Sequence, residues 1–309
     1  MLRPGGPMLQ VTSLRHGWRV QTPAKVNLTL RVLGVRPDGY HALESVVAGV
    51  SLFDTLDVEA DDRLALTCDG HAVPEGEGNL VLTAARTLQE ACGVTAGARM
   101  HLVKRIPPGR GFGGGSSDAA AALAALDRLW GCGLEAEGLA DLGARVGSDV
   151  PLFFGPGLAV MRGRGEDVEP VEGRCPWHLA LAWPEEALAT AEVYAAYDRL
   201  VAGKVPEGPS ATAILDRMNG PARAAAPFLV NDLEAAADNV RSSRLDLRAC
   251  LQEAGADAVA MTGSGSAYFA VADTEGEARQ WADAARAAGA ETHVARLLVD
   301  GNEQQEKTP

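Results

Sequence analysis

The sequence is short of cysteine, of basic residues and of long apolar runs, and each shortage argues against a class of protein. Five cysteines are spread over 309 residues without a C-x-x-C pair, which argues against a disulfide framework and against a zinc site. The six histidines show no metal-ligand spacing. No apolar run has the length that a membrane span needs. We therefore expect reduced thiols, a cytoplasmic location and no membrane partner.

The charge balance is acidic, with 41 Asp and Glu against 28 Lys and Arg and a net charge of -13 at pH 7. Because an acidic surface gains no counterion release on DNA or RNA, we expect no nucleic-acid partner. An anionic small molecule would need a local basic patch, for which Lys25, Lys104, Arg105 and Arg110 are candidates. A chain of 309 residues with 47% apolar content can bury a good core, and its length indicates one large or two modest domains.

The most informative stretch is a glycine-rich loop that runs into a helix, over Pro107–Trp130. Five of the seven residues 109–115 are glycine, which permits a close backbone approach and positive φ angles. Ser116, Ser117 and Asp118 then supply helix-start chemistry, and leucines at helical spacing follow. A loop that feeds a helix N-terminus directs free N–H groups and the positive end of the helix dipole at one point. This arrangement is typical of a phosphate site.

Other interpretations of the glycine loop stay open. A flexible linker is one, although linkers are seldom bracketed by a strand such as Met100–Ile106 and a strong helix. Gly109, Gly111 and Gly114 also satisfy the dinucleotide fingerprint G-x-G-x-x-G, which would suggest an NAD-dependent redox enzyme. However, the loop lies a third of the way along the chain and lacks the acidic strand end that a Rossmann site requires. A catalytically inactive nucleotide-binding protein is the remaining alternative.

Three further segments carry candidate chemical groups. The alternation in Val20–Val32 predicts a strand with Lys25 and Asn27 on its polar face, which is either solvated or directed into one cleft. Asp149 follows a glycine break, where an aspartate usually caps or turns, but a carboxylate wedged against buried residues can also act as a base. The Gly/Ser loop Thr262–Ser266 is either a hairpin turn or a backbone close to an anion or to the first loop.

The remaining patterns predict an α+β chain of two domains. We expect residues 1–15 to be a loose extension and residues 301–309 a disordered polar tail. Gly, Pro and charged residues cluster at 155–170, which predicts a boundary between a first domain, 16–165, and a second domain, 166–300. The predicted strands are Val46–Val58, Arg63–Cys68, His178–Trp183, Asp257–Met261, Ala267–Val271 and Thr292–Leu298, and the predicted helices are Asn79–Cys92, Leu139–Val146, Glu185–Leu200, Asn231–Glu253 and Glu275–Ala288.

Four motifs in order cover nearly all of the chain after residue 15. They are Pro-Ala-Lys-x-Asn-Leu-x-Leu with Arg-x-Asp-Gly-Tyr-His at 23–41, the glycine loop with two serines at 107–117, Asp-Val-Pro at 149–151 and Gly-Ser-Gly at 263–265. Together they resemble the small-molecule kinases named for galactokinase, homoserine kinase, mevalonate kinase and phosphomevalonate kinase. The resemblance implies an N-terminal ribosomal-protein-S5-like ATP domain, a C-terminal ferredoxin-like α/β sandwich, and ATP with Mg²⁺ as cofactors.

The resemblance also implies roles for individual residues. Asp149 would be the general base and Lys25 its electrostatic partner. The Asp-Gly-Tyr-His motif implies a cytidine-diphosphate-linked alcohol of isoprenoid precursor synthesis as the substrate, with Tyr40 stacked on cytosine; a mevalonate or homoserine type of kinase is the alternative. The implied substrate contacts are Asn27, Tyr40, His41, Thr190 and Tyr194, and the implied ATP contacts are Asn79, Lys104, Pro107, Gly109, Gly111, Gly113, Gly114, Gly115, Ser116 and Ser117.

The chain departs from the family pattern at one residue that bears on charge. Asp118 stands where Asn is common, which would place a second carboxylate near the triphosphate unless Mg²⁺ or an arginine intervenes. The sequence leaves the metal ligands and the oligomeric state open.

Overall fold

The computed structural model describes residues 8–74 and 76–299 as an α+β protein with two sheets. The strands are β1 Gln10–Leu14, β2 Gly17–Asn27, β3 Arg31–Val35, β4 His41–Asp61, β5 Leu64–Gly70, β6 Gly97–Lys104, β7 Leu158–Gly163, β8 Asp167–Pro170, β9 His178–Trp183, β10 Val259–Met261, β11 Tyr268–Ala272 and β12 Glu291–Arg296. The α-helices are α1 Leu80–Cys92, α2 Gly114–Trp130, α3 Ala136–Val146, α4 Thr190–Val201, α5 Glu234–Val240, α6 Leu247–Glu253 and α7 Glu275–Ala287.

The first sheet is organised around β4, a strand of 21 residues. Strand β2 pairs with most of its length, while β3 and β7 pair with its first part and β6 pairs with its last part. These pairings are antiparallel, whereas β5 and β6 run parallel. Helices α1, α2 and α3 form a layer whose apolar side chains share one core with this sheet.

The polar face of β2 is buried, so the solvated-face interpretation of Lys25 and Asn27 is wrong. The predicted strand over 20–32 is also interrupted, because β2 ends at Asn27 and β3 starts at Arg31. Between them, the N–H groups of Leu28 and Thr29 both reach the Val46 carbonyl. The glycine loop and the second domain cover this face, which is why its polar groups bond to each other rather than to water.

Helix α2 begins at Gly114, earlier than the serines that the sequence indicated as its start. Its alanines over 119–125 are buried against the sheet and against α1. Small side chains allow a close approach of the helix backbone, so this helix is hidden on nearly all sides. It ends at Gly131, where φ is +68°.

The second sheet has the order β10-β11-β9-β12 and is antiparallel throughout. The helix expected over Glu185–Leu200 begins only at Thr190, because the preceding loop is tied to Arg110 and Ser266 through its carbonyl groups. The helix expected over Asn231–Glu253 is two helices, α5 and α6. The break falls where the Glu186 carboxylate accepts N–H bonds from residues 242 and 243.

The ends of the predicted domains need one correction. Residues 10–14 are not loose, because they form β1 and pair with β2 in a hairpin. Residues 1–7 and the predicted tail 301–309 lie outside the described residues. Strand β8 pairs with β7, so the first sheet continues a few residues past the predicted boundary at 165, and the domain division stays a prediction.

The described residues include no helix that is both long enough and apolar enough to cross a bilayer.

Candidate active site

A cleft of about 1290 Å³ lies where the glycine loop, the end of β2 and the start of α4 meet. It brings together fourteen residues that the sequence analysis singled out from distant parts of the chain. These are Lys25, Asn27, Tyr40, His41, Pro107, Gly109, Gly111, Gly113, Gly114, Gly115, Ser116, Asp149, Thr190 and Tyr194.

Two glycines of the loop are required by close backbone packing. At Gly113, where φ is +69°, a Cβ atom would lie 2.9 Å from Lys25 Cγ. At Gly111, where φ is +87°, it would lie 2.1 Å from the Thr262 carbonyl oxygen. The Lys25 N–H also donates to the Phe112 carbonyl over 2.9 Å. The loop is therefore held between β2 and the second Gly/Ser loop, as one of the interpretations of that loop expected.

The N-terminus of α2 faces the cleft through Gly114, Gly115 and Ser116. The residue that precedes the helix, Gly113, offers no side chain to cap it, and the first turn carries no acidic residue. N–H groups in the first turn of a helix have no partner within the helix, and the helix dipole adds positive potential there. This end of the cleft is therefore suited to bind an anion such as a phosphate.

A lysine and an aspartate face each other across the cleft. Lys25 Nζ lies 3.6 Å from Asp149 Oδ2, and it donates to Asn27 Oδ1 over 2.6 Å. Asn27 Nδ2 in turn donates to Ser45 Oγ over 2.8 Å, which fixes the amide. The Lys25 side chain is 6% exposed and that of Asp149 31%, so the cation is buried while the carboxylate stays open to a ligand. A carboxylate placed in this way can act as a proton acceptor for a ligand in the cleft.

Aromatic rings form the other end of the cleft. The His41 ring lies on Tyr194, with 4.7 Å between ring centroids, and His41 Nε2 is 2.7 Å from Asp198 Oδ1. Tyr40 is 58% exposed. Burial, together with the negative charge of Asp149, raises the pKa of Tyr194 to about 12, so its hydroxyl stays protonated at neutral pH. A nucleobase stacked between Tyr40 and Tyr194 would have to displace His41 from the Tyr194 ring or stack on the other face of that ring.

Three predicted ATP contacts do not line the cleft. Asn79 is buried and caps α1, accepting the Val81 N–H over 2.9 Å. Ser117 is buried and donates to the Pro23 carbonyl over 2.6 Å. Lys104 is buried beneath the loop. These three contacts were implied by the family resemblance, whereas in the structure their side chains bond to other groups of the protein.

Lys104 joins two carboxylates in the interior. Its Nζ lies 2.5 Å from Asp54 Oδ2 and 2.7 Å from Asp118 Oδ2. The other oxygen of Asp54 accepts the N–H groups of Arg105 and Ile106, which lead into the glycine loop. Asp118 is thus buried on Lys104 and does not line the cleft, so it is not the second exposed carboxylate that the sequence suggested. Burial raises its pKa well above the ordinary aspartate value.

Sequence reasoning missed several lining residues, among them the ionisable residues Arg145, Arg164 and Asp198. All three lie outside the motifs, and nothing in their spacing indicates that they reach the cleft. Among residues 8–74 and 76–299, no three His, Cys, Asp or Glu side chains are grouped closely enough to hold a metal ion.

The two sheets, the glycine loop at a helix N-terminus and the lysine–aspartate pair define a class of protein, the small-molecule kinases with two domains. The model for the GHMP kinases N terminal domain matches residues 79–157, and that for the GHMP kinases C terminal matches residues 221–291. The chain belongs to the GHMP kinase family.

Curated relatives of this chain carry the name 4-diphosphocytidyl-2-C-methyl-D-erythritol kinase. One from Salinispora arenicola is 41% identical over 280 residues, which is 88% of this chain and 87% of that protein. One from Exiguobacterium sibiricum is 36% identical over 286 residues, which is 92% of this chain and 99% of that protein.

Solved structures show the same likeness. A crystal structure of 4-(cytidine 5'-diphospho)-2C-methyl-D-erythritol kinase has a TM-score of 0.75 and 36% identity, and the match covers 90% of this chain and 98% of that one. A homoserine kinase from Cytophaga hutchinsonii has a TM-score of 0.70 at 16% identity over 94% of this chain and 98% of that one, which shows the shared fold.

Proposed function

We propose that the protein transfers the γ-phosphoryl group of ATP to the 2-hydroxyl of 4-diphosphocytidyl-2-C-methyl-D-erythritol. The observation that carries this proposal is the Lys25–Asp149 pair, 3.6 Å apart, in the same cleft as the α2 N-terminus. The names of the relatives supply the alcohol. We place the reaction in the cytoplasm, in the synthesis of isoprenoid precursors.

Phosphate binding is assigned to the glycine loop. Because Gly113 and Gly114 carry no side chain, its backbone packs closely on Lys25 and Lys104. The N–H groups of the first turn of α2 would bind the β- and γ-phosphate oxygens, and they are already oriented before the ligand arrives. In phosphoryl transfer, positioning and charge stabilisation provide nearly all of the catalysis.

Proton transfer is assigned to Asp149. As the substrate hydroxyl oxygen bonds to the γ-phosphorus, Asp149 accepts the hydroxyl proton, and the bond from that phosphorus to the β–γ bridging oxygen breaks to release ADP. The Lys25 ammonium, 3.6 Å from Asp149, balances the negative charge that develops on the reacting oxygens. Asn27 accepts a hydrogen bond from this ammonium and lines the same cleft, so we assign it as a further contact of the substrate hydroxyl.

The cytidine end is assigned to the aromatic end of the cleft. Tyr40 offers an exposed ring for stacking, and His41 and Tyr194 line the same wall. Thr190 Oγ1 lies 2.9 Å from Ser264 Oγ, which joins the start of α4 to the second Gly/Ser loop and offers hydroxyl groups to the substrate.

Magnesium fits this site as a companion of the nucleotide. Near the α2 N-terminus the cleft offers it the Ser116 hydroxyl, and the Asp149 carboxylate lines the same cleft. Mg²⁺ commonly binds through one or two protein ligands together with substrate phosphates and water, so this sparse set is compatible with it. Bound there, the ion would neutralise phosphate charge during transfer.

A substrate panel tests the proposal. The purified protein is incubated with ATP, Mg²⁺ and, separately, the cytidylylated methylerythritol, mevalonate and homoserine, and ADP is measured together with the phosphorylated product. We expect turnover with the cytidylylated alcohol alone. Turnover of mevalonate or homoserine in its place would support the corresponding kinase, and reduction of a nicotinamide nucleotide would support a redox enzyme.

A further inference from the structure

Arg164 is a cationic lining residue of the cleft to which the mechanism above gives no role. It lies in the turn between β7 and β8, and its guanidinium carbon is 4.9 Å from the centroid of the Tyr40 ring. Its side chain is 39% exposed. The planar guanidinium is therefore stacked on the Tyr40 ring, which the proposed function assigns to the cytosine. Part of the guanidinium still faces the cleft.

The turn that carries Arg164 also reaches the acid. A Cβ atom built on the next residue, Gly165, would lie 3.4 Å from Asp149 Oδ1. The turn is held in place because the Gly165 N–H donates to the Arg162 carbonyl over 3.0 Å. Arg164 thus extends from a fixed segment that lies beside both ends of the proposed substrate site, the Tyr40 ring and the Asp149 carboxylate.

Two other basic side chains of the cleft are already held by partners. Lys25 is bound to Asp149 and Asn27, and His41 is bound to Asp198. By contrast, the ion pair of Arg164 Nε with Glu166 Oε1 is long, at 3.8 Å. Glu166 is also shared with Arg36, at 3.7 Å. Arg164 is therefore a loosely held cation beside the Tyr40 ring, which a second anion in the cleft can recruit.

We propose that Arg164 binds the diphosphate of the cytidine-diphosphate substrate and so sets the preference for a charged nucleotide over an uncharged nucleoside. A substrate with its base on Tyr40 and its reacting hydroxyl at Asp149 must carry its diphosphate between them, beside the Arg164 guanidinium. The guanidinium fork can donate two parallel hydrogen bonds to phosphate oxygens. This inference rests on the proposed function, because it takes the substrate from it.

The test compares the binding of CDP and of cytidine by calorimetry to the wild type and to Arg164→Gln. The matched control is Arg162→Gln, which removes the same charge two residues earlier on β7. Arg162 is bonded to Glu44 and Glu169 and does not line the cleft. For Arg164→Gln we expect the Kd of CDP to rise about 10- to 100-fold, as for the loss of charged hydrogen bonds, with cytidine binding and KM for ATP unchanged. The control should bind CDP as the wild type does.

Each other outcome has a defined meaning. If Arg164→Gln weakens CDP and cytidine equally, Arg164 only supports the Tyr40 ring, and the proposal is wrong. Unchanged CDP binding in Arg164→Gln would overturn it as well. If the wild type turns over ATP but binds neither CDP nor cytidine, the proposed function fails, and this inference fails with it. An Arg164→Lys variant should recover part of the CDP affinity, because it restores the charge without the fork.

Discussion

Lys25 and Asp149 belong to different structural elements, 124 positions apart in the chain, and yet their charged atoms lie 3.6 Å apart at the mouth of one cleft. The stem of Lys25 is covered by the glycine loop, so the same backbone that is assigned to phosphate also fixes the ammonium. In the proposed mechanism, phosphate binding and proton acceptance are therefore coupled through one side chain.

Replacement of Lys25 by Met should lower kcat far more than it raises KM for ATP. The methionine keeps the volume under the loop but removes the charge that stabilises Asp149 and the transferring group. We expect a fall in kcat of about 10²- to 10³-fold, as for the loss of one stabilising donor at a transition state. Lys204→Met, in an exposed loop outside the cleft, is the control and should be unaffected. A large rise in KM for ATP at unchanged kcat would make Lys25 a binding residue.

The backbone of the loop can be tested at Gly113 against a matched glycine at the other end of α2. Both residues have φ near +70°, but a Cβ at Gly113 would strike Lys25, whereas one at Gly131 would meet nothing within 4 Å. Gly113→Ala should therefore abolish most activity. Gly131→Ala should cost about 1–2 kcal/mol of unfolding free energy from the left-handed φ and keep its kinetics. Equal kinetics for the two variants would contradict the packing described here.

Replacing Lys104 and replacing Asp118, which form an ion pair under the loop, should have opposite effects on the free energy of unfolding. Lys104→Met leaves the buried Asp54 carboxylate without its counter-ion and Asp118 without its hydrogen-bond donor, so we expect a loss of about 3–5 kcal/mol of unfolding free energy. Asp118→Asn keeps a polar partner for Lys104 and removes a carboxylate whose ionisation burial opposes. The variant should be at least as stable as the wild type at neutral pH. Urea unfolding of both variants measures this, and a destabilised Asp118→Asn would show that Asp118 is held ionised.

The raised pKa of Asp118 also gives stability a pH dependence. The folded state favours protonated Asp118. The contribution of this group to the free energy of unfolding is therefore fully present below the pKa that Asp118 has in the unfolded chain, about 4. The contribution is lost as pH rises through the higher folded pKa. The unfolding free energy of the wild type should therefore fall relative to Asp118→Asn as pH rises from about 4 toward neutrality. A difference that stays constant over this range would contradict the assignment.

Local sequence patterns were enough to predict those parts of the site that form from neighbouring residues in the chain. The glycines at 109–115 specify a tight backbone, and the alternation around Lys25 and Asn27 specifies a strand, so both were predicted. The role of Asp118 was not, because only the long-range approach of Asp54 and Lys104 shows that it points into the core.

Other features depended on partners that are far away in the chain. Nothing near Arg164 in sequence indicates Tyr40, and the break between α5 and α6 depends on Glu186, more than fifty residues earlier. The hairpin of β1 with β2 was missed because a sequence rich in Gly and Pro on one side hid a short edge strand. In each case the deciding interaction is a tertiary contact, which no residue periodicity records.

The most direct measurement is single-turnover phosphoryl transfer from ATP to 4-diphosphocytidyl-2-C-methyl-D-erythritol by the wild type and by Asp149→Asn, with ATP and CDP binding measured on both. The amide occupies the same space but cannot accept the hydroxyl proton. We expect the 2-phosphorylated product and ADP from the wild type, and a transfer rate about 10²- to 10⁴-fold lower from the variant while both ligands still bind. Transfer at the wild-type rate by Asp149→Asn would contradict the account.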